Sequence, residues 1–117
     1  MMTKYVLMSG DGANSRHAES ISRELGIDVL FWEKPFSFDD VIERLGSSTR
    51  VAIVDKAYRF ALSLSRCLND SGITTDAYPS GNAFLKTASG DYDFVLCDTV
   101  MPGTMGTDVI REHVKGE

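Results

Sequence analysis

The sequence lacks the features that mark membrane, secreted and nucleic-acid-binding proteins. No apolar run approaches the ~20 residues that a membrane-spanning helix needs, and the first residues do not follow the basic-then-apolar order of a signal peptide. Positive charge is not in excess, because 12 Lys and Arg face 17 Asp and Glu, a net charge of −5. A nucleic-acid surface needs a basic face. We therefore expect a cytoplasmic protein with no nucleic-acid partner and no membrane contact.

Cysteine and histidine are also scarce. Cys67 and Cys97 both fall within apolar runs, and we expect reduced, buried thiols rather than a disulfide. His17 and His113 lack metal-ligand spacing and are expected at the surface. The chain of 117 residues is 43% hydrophobic, which suffices for one domain around one core.

The sequence does contain five short apolar runs, at residues 5–8, 29–32, 51–54, 73–78 and 94–97. Four of these runs are nearly continuous rather than alternating. Continuous apolar runs are typical of strands that are covered on both faces, as in a parallel sheet. The run at 73–78 is more polar, which favours a strand at the edge of the sheet.

Each apolar run is followed by a segment with the period of an amphipathic helix. One segment places Phe60, Ala61 and Leu64 on one face and ends at Gly72. Ser37 stands where the N-cap of another helix belongs. Strand and helix thus alternate five times, which predicts an α/β domain with a five-stranded, doubly wound parallel sheet and helices on both faces.

Polar residues follow four of the five runs. Ser9 follows the first run and Lys34 the second, whereas Asp55 and Asp98 follow the third and the fifth. The carboxyl ends of parallel strands lie along one edge of a sheet, where open α/β folds bind ligands. We therefore expect one hydroxyl, one ammonium and two carboxylates to converge at that edge.

Such a set of side chains suits phosphoryl transfer to a carboxylate. An aspartate can act as the nucleophile, and a second carboxylate can help to hold Mg²⁺, which prefers oxygen ligands. A lysine brings a mobile positive charge to the phosphoryl oxygens. Strand ends attract polar residues in any sheet, so one or two such residues would be unremarkable. Four residues of suitable chemistry are less easily explained in that way.

Two groups of motifs resemble the response-regulator receiver domain of two-component signalling. Asp55 at the end of its run, and Asp98 with the Met-Pro-Gly sequence at 101–103, look like the first half of such a domain. The segment 60–85 is most similar to receivers of the nitrogen-fixation regulator type. Ser9 with the following glycine, and the Lys-Pro-Phe sequence at 34–36, look like the second half. The resemblance covers nearly the whole chain.

The resemblance implies a flavodoxin-like fold in circularly permuted order, because the two halves are reversed. Residues 1–45 match the C-terminal half of the family and residues 51–117 match its N-terminal half, within a single receiver domain. Residues 46–50 would be a flexible joint, and residues 1 and 117 would be neighbours. A natural permutation, an engineered permutation and a segment that straddles two tandem receivers would all give this order of motifs in the sequence. The protein would be a monomer or a swapped dimer.

The resemblance also assigns roles to individual residues. Asp98 would be the phosphoryl acceptor, Lys34 would contact the phosphoryl group and Ser9 would follow it during switching. Phe31 would be the switch aromatic near the end of the last strand of the family. The Lys34-Pro35 peptide bond would be cis.

The implied metal site departs from the family pattern. Asp55, Asp98 and the main-chain carbonyl of Val100 would bind Mg²⁺, but Lys56 stands where the family usually has a second acid. One hypothesis is that Mg²⁺ binds weakly and that Lys56 partly replaces the metal charge near Asp98. The alternative is that Lys56 points to solvent and that the two acids suffice.

Three functions follow from these observations. In the first, the chain accepts a phosphoryl group from a histidine kinase or phosphotransfer protein and signals by contacting a downstream protein, with no enzymatic activity beyond its own phosphorylation and dephosphorylation. The second is a pseudo-receiver that binds partners without phosphorylation, which Lys56 favours. The third is an aspartate-nucleophile phosphatase. Val100 argues against this third function, because such enzymes commonly place a second acid at that position.

Overall fold

The computed structural model describes residues 3–10, 15–87, 91–101 and 103–116. The five main strands are β1 (Lys4–Ser9), β2 (Val29–Glu33), β3 (Arg50–Val54), β4 (Thr74–Tyr78) and β5 (Phe94–Asp98). The five helices are α1 (Ser15–Leu25), α2 (Phe38–Leu45), α3 (Tyr58–Asp70), α4 (Gly81–Thr87) and α5 (Gly106–Lys115). Every predicted run forms a strand, within one residue at each end.

The five strands form one parallel sheet in the order β2-β1-β5-β3-β4. Strand β4 lies at an edge, as its polar sequence predicts. Strand β5 lies between β1 and β3, so the early and late parts of the chain share the same sheet. This α/β architecture agrees with the predicted fold class and is consistent with a flavodoxin-like fold.

The sheet is covered on both faces because neighbouring residues of each strand point to opposite sides. Helices α1, α4 and α5 pack on one face. The core on that side includes Tyr5, Leu7, Val95, Ile21, Phe84 and Ile110. Helices α2 and α3 pack on the other face. The core there includes Val6, Met8, Ile53, Val41, Leu64 and Leu68. The continuous apolar runs are thus buried on both sides, as predicted.

A short hairpin that the sequence did not predict follows β5. Its two strands, β6 (Val100–Met101) and β7 (Thr104–Met105), are antiparallel. Gly103 adopts φ +77° within this hairpin, a conformation that glycine tolerates best. Pro102 of the Met-Pro-Gly motif lies outside the described residues.

The connection between α2 and β3 is held by hydrogen bonds. The carboxylate of Asp93 accepts hydrogen bonds from the Thr49 backbone N–H at 2.7 Å, the Thr49 hydroxyl at 2.9 Å and the Arg50 backbone N–H at 3.1 Å. Arg50 already belongs to β3, so the connection comprises residues 46–49 and is one residue shorter than the predicted joint. Its last residue is anchored to the loop before β5. The predicted proximity of residues 1 and 117 falls outside the described residues.

Several smaller predictions can also be compared with the structure. Ser37 caps α2, since its hydroxyl accepts a hydrogen bond from the Asp40 backbone N–H. Both cysteines are free thiols as expected, but only Cys97 is buried, and Cys67 is half-buried because it lies at the margin of the apolar face of α3. The surface position predicted for His113 is wrong, because this residue is half-buried and its Nδ1 lies 2.7 Å from the Tyr5 hydroxyl.

No helix in the described part of the chain is both long and apolar enough to span a membrane.

Candidate functional site

Two aspartates lie side by side at the carboxyl edge of the sheet. Asp98 is the last residue of β5, and Asp55 directly follows β3. The two strands are neighbours, with Val54 paired to Cys97. Asp55 and Asp98, which directly follow this pair, therefore lie next to each other at the edge of the sheet. Both aspartates are buried, with 0% of Asp55 and 5% of Asp98 exposed. A pair of buried carboxylates is therefore present at the edge where ligands bind in open α/β folds.

Ser9 and Lys34 come to the same edge from the neighbouring strands. Ser9 ends β1, one residue after Met8, which pairs with Asp98. Lys34 follows β2, and its backbone N–H donates to the Ser9 carbonyl at 2.8 Å. The Lys34-Pro35 bond is cis, as expected. The sheet register thus brings together the four residues that the sequence singled out.

The ammonium of Lys34 lies between the two carboxylates. Its Nζ is 2.7 Å from Asp55 Oδ2 and 3.9 Å from Asp98 Oδ1. The Lys34 side chain is 25% exposed, so it reaches solvent along one side. A charge-assisted hydrogen bond therefore joins Lys34 to Asp55, and a longer electrostatic contact links it to Asp98.

The two carboxylates differ in their hydrogen bonds. Asp55 is anchored at both oxygens, because Oδ1 also accepts from the Ala57 backbone N–H at 2.9 Å. Asp98 Oδ2 is buried and has no hydrogen-bond partner among the described residues. Since a buried acceptor is normally paired, this oxygen has capacity left for a further hydrogen bond or ligand.

Burial and the neighbouring Asp55 carboxylate raise the pKa of Asp98 to about 6, whereas the positive charges of Lys34 and Lys56 oppose the rise. Because a pKa of about 6 lies below neutral pH, Asp98 is mostly ionised at pH 7. The ionised carboxylate is the form that can act as a nucleophile.

Lys56 is exposed next to the buried acids. Its charge nevertheless acts on Asp98, whose pKa it lowers. Lys56 therefore has an exposed side chain whose charge still reaches the site, and both hypotheses about Mg²⁺ stay predictions. Within the described residues, no three His, Cys, Asp or Glu side chains are grouped to hold a metal ion.

The oxygen ligands that the resemblance implies for Mg²⁺ are of the right type but few. Asp55, the unpaired oxygen of Asp98 and the carbonyl of Val100 are hard oxygen donors, which Mg²⁺ prefers. Lys34 already contacts Asp55 Oδ2, and Val100 is an exposed residue of the hairpin. These oxygen donors are of the type that fits a divalent ion.

The backbone behind Asp98 is closely packed. The Thr99 hydroxyl and backbone N–H both donate to the Met8 carbonyl, and the Gly106 N–H donates to the Thr99 carbonyl at 2.7 Å. A Cβ added to Gly106 would lie 2.3 Å from the Asp98 carbonyl oxygen. Glycine is therefore required where α5 begins beside β5, the strand that ends at Asp98.

Phe31 and Phe60 lie on opposite faces of the sheet, and Phe60 contacts a residue of the site. Phe31 of β2 is half-buried and packs against the core formed by α1, α4 and α5. Phe60 of α3 places its ring centroid 4.9 Å from Lys34 Nζ. The sequence predicted Phe60 only as part of a buried helix face, because helical period carries no information about a contact with another element.

Comparisons with known proteins yield one partial match. No family model and no solved structure matches the chain. Over 64 residues it is 33% identical to the transcriptional regulatory protein TcrA from two strains of Mycobacterium tuberculosis. The aligned region covers 54% of this chain and 25% of TcrA, so the chain spans about a quarter of the length of the curated relatives it matches.

Proposed function

We propose that this chain is a receiver domain of two-component signalling in which Asp98 accepts a phosphoryl group. The observation that carries the proposal is the buried, unpaired Oδ2 of Asp98, beside an ammonium and a second carboxylate. The similarity to a transcriptional regulatory protein supports a role in signalling.

In the proposed reaction, an Asp98 carboxylate oxygen forms a bond to phosphorus. The bond between phosphorus and the donor breaks, and the donor atom keeps the bonding electrons. That atom is a histidine nitrogen of a kinase or phosphotransfer protein, or an acetate oxygen of acetyl phosphate. Lys34 would neutralise charge on the phosphoryl oxygens, and Ser9, at the end of the neighbouring strand β1, would follow the group.

Asp55, Asp98 and the main-chain carbonyl of Val100 would hold Mg²⁺, which supplies further positive charge for the phosphoryl oxygens. The Lys34 contact with Asp55 and the presence of Lys56 argue that this ion binds weakly.

The order of the strands supports a circular permutation. If β3 is counted as the first strand, the sheet read from β4 to β2 has the order 2-1-3-4-5, which is the flavodoxin-like order. Residues 51–117 and 1–45 would then be the first and second halves of the receiver, joined through the connection after α2. The similarity of residues 60–85 to the nitrogen-fixation regulator type is part of this proposal.

The proposed phosphoryl donor is a histidine kinase or phosphotransfer protein in the cytoplasm, and the proposed output is binding to a downstream protein. A phosphoryl group on Asp98 would draw Ser9 inward and bias the packing of Phe31, a two-state element. We propose no enzymatic activity beyond phosphorylation and dephosphorylation of Asp98 itself.

Beryllofluoride, which mimics a phosphoryl group on a carboxylate, tests this function without a partner. We expect beryllofluoride with Mg²⁺ to shift the amide resonances of Ser9 and Lys34 and to change the fluorescence of Trp32, which is buried beside Phe36. Asp98→Asn should abolish both responses, whereas Asp70→Asn, an exposed substitution at the end of α3, should retain them. The absence of any response in the wild type would contradict the proposal.

A second candidate function is favoured by Lys56. A pseudo-receiver would keep the Lys34–Asp55 ion pair as a permanent feature and would bind its partner without phosphorylation. Such a protein would show no beryllofluoride response at any Mg²⁺ concentration. The wild type and the Asp98→Asn variant would bind the partner protein with equal affinity.

A further inference from the structure

The ammonium of Lys34 contacts an aromatic ring as well as carboxylates. Phe60 of α3 has its ring centroid 4.9 Å from Lys34 Nζ, within the range of a cation–π interaction. On the other side, the same Nζ lies 2.7 Å from Asp55 Oδ2. The ammonium is therefore held between a buried acid and an aromatic face.

Phe60 is fixed by packing that does not involve Lys34. The rings of Phe36 and Phe38 each lie 6.0 Å from Phe60, at an interplanar angle of 63°. Such edge-to-face pairs are favourable because the positive edge of one ring meets the negative face of another. Trp32 extends the cluster, 6.2 Å from Phe36. Phe60 thus belongs to a packed cluster with three other aromatic side chains, from β2 and the segment around α2.

We propose that Phe60 is a positioning residue, which directs the Lys34 ammonium toward the two carboxylates. This inference rests on the proposed function, because it gives Lys34 its role at the phosphoryl group. A lysine side chain has a flexible four-carbon stem and loses much rotamer freedom when it is fixed. A fixed aromatic face restricts the ammonium to the gap between Asp55 and Asp98, where it can meet phosphoryl oxygens on Asp98.

The scarcity of other ligands at this site makes the position of Lys34 important. The second acid of the family pattern is replaced by Lys56, so the site offers few oxygen ligands for a divalent ion. A larger share of the charge compensation then falls on Lys34. Phe60 acts on the reaction only through this lysine.

Substitutions within the aromatic cluster separate positioning from simple packing. Phe60→Leu removes the aromatic face but retains apolar bulk, and Phe60→Trp retains an aromatic face. Phe38→Leu is the matched control, because it removes one ring from the cluster but leaves the Phe60 ring and its packing on Phe36 in place. We expect Phe60→Leu to slow phosphorylation by acetyl phosphate roughly threefold to tenfold, the size expected for the loss of one cation–π contact. Phe60→Trp and Phe38→Leu should stay within twofold of the wild type.

A second readout requires no phosphorylation. The ring current of Phe60 should shift the ε-methylene protons of Lys34 upfield in the NMR spectrum of the untreated protein. This shift should disappear in Phe60→Leu and remain in Phe60→Trp and Phe38→Leu. If Phe60→Leu fails to fold, Phe60→Met provides the same loss of the aromatic face with a more adaptable side chain.

The two proposals fail in different ways. If the wild type never reacts with acetyl phosphate, the proposed function fails, while the Lys34 proton shift still tests the position of the ammonium. If the wild type reacts but Phe60→Leu matches Phe38→Leu in both rate and proton shift, Phe60 is a packing residue only, and the inference is overturned.

Discussion

Lys56 is the residue that most clearly separates this site from the receiver pattern. It follows the buried Asp55 and lowers the pKa of Asp98 although its side chain is exposed. A cation at this point opposes the binding of a divalent ion through like-charge repulsion. An acid at the same point would add an oxygen ligand instead, so the affinity for Mg²⁺ should depend strongly on this one position.

Lys56→Asp is therefore expected to raise the affinity for Mg²⁺ at least tenfold, which corresponds to about 1.4 kcal/mol. Titration of Trp32 fluorescence with Mg²⁺ measures the change. Lys86→Asp makes the same change of charge in the last turn of α4 and should leave the affinity nearly unaltered. Equal affinities for the wild type and Lys56→Asp would mean that Lys56 has no influence on the site.

Gly106 provides a second test at the scale of one residue. A Cβ here would lie 2.3 Å from the Asp98 carbonyl oxygen and 2.9 Å from Leu7 Cδ2, so Gly106→Ala should destabilise the fold by about 1–3 kcal/mol. At Gly116, the nearest atom to an added Cβ is 3.6 Å away, which makes Gly116→Ala the control. Urea unfolding measures the stability of Gly106→Ala and Gly116→Ala. Equal free energies of unfolding for the two variants would show that the backbone next to Asp98 can move to accommodate a Cβ.

The residues at the strand ends could be predicted, but their environment could not. Ser9, Lys34, Asp55 and Asp98 follow apolar runs, and a parallel sheet necessarily gathers such positions at one edge. The contact of Phe60 with Lys34 depends on how α3 packs beside the end of β2, which no local pattern encodes. His113 was placed wrongly for the same reason, since its partner Tyr5 is 108 residues away.

At the scale of elements, the connection between α2 and β3 is held at its end by hydrogen bonds that the sequence did not predict. The small and polar residues at 46–49 are typical of a flexible joint. Asp93, 44 residues beyond Thr49 in the chain, nevertheless fixes the end of this connection through three hydrogen bonds. The β6–β7 hairpin also escaped prediction, because strands of two residues are too short to show a period.

Asp93→Ala should destabilise the protein by about 1–2 kcal/mol, since it removes an acceptor of charge-assisted hydrogen bonds. The Thr49 and Arg50 backbone N–H groups lower the pKa of Asp93 in the folded protein. Its stabilisation is therefore present above the ordinary carboxyl pKa and is lost as the pH falls through the lowered value.

Free energies of unfolding measured between pH 7 and pH 3 test this prediction. The difference between the wild type and Asp93→Ala should shrink on acidification, whereas Asp91→Ala, an exposed substitution two residues earlier, should match the wild type throughout. A difference between the wild type and Asp93→Ala that is independent of pH would contradict the assigned role of the carboxylate.

At the scale of the whole molecule, the strand order connects the fold to the proposed permutation. The sheet is completed within one chain, so a chain with the two halves exchanged should build the same sheet. We expect a variant in which residues 50–116 precede residues 3–45, joined by a short Gly-Ser linker, to fold as a monomer with a similar beryllofluoride response. Light scattering and amide spectra provide the measurement. An unfolded product, or a stable dimer, would contradict the permuted order within a single chain.

The alternation of strands and helices could be predicted because each continuous apolar run must be buried on both faces, and only a covered parallel sheet provides this. The spatial order of the strands did not follow from that pattern. It came from the resemblance of two motif groups in reversed order, and the position of β5 between β1 and β3 agrees with it.

The central claim is that Asp98 accepts a phosphoryl group, and mass spectrometry of the protein after incubation with acetyl phosphate and Mg²⁺ tests it most directly. We predict that the wild type gains the mass of one phosphoryl group, that peptide mapping locates it on Asp98, and that Asp98→Asn gains none. An unmodified wild type under these conditions, or modification of a different residue, would contradict the claim.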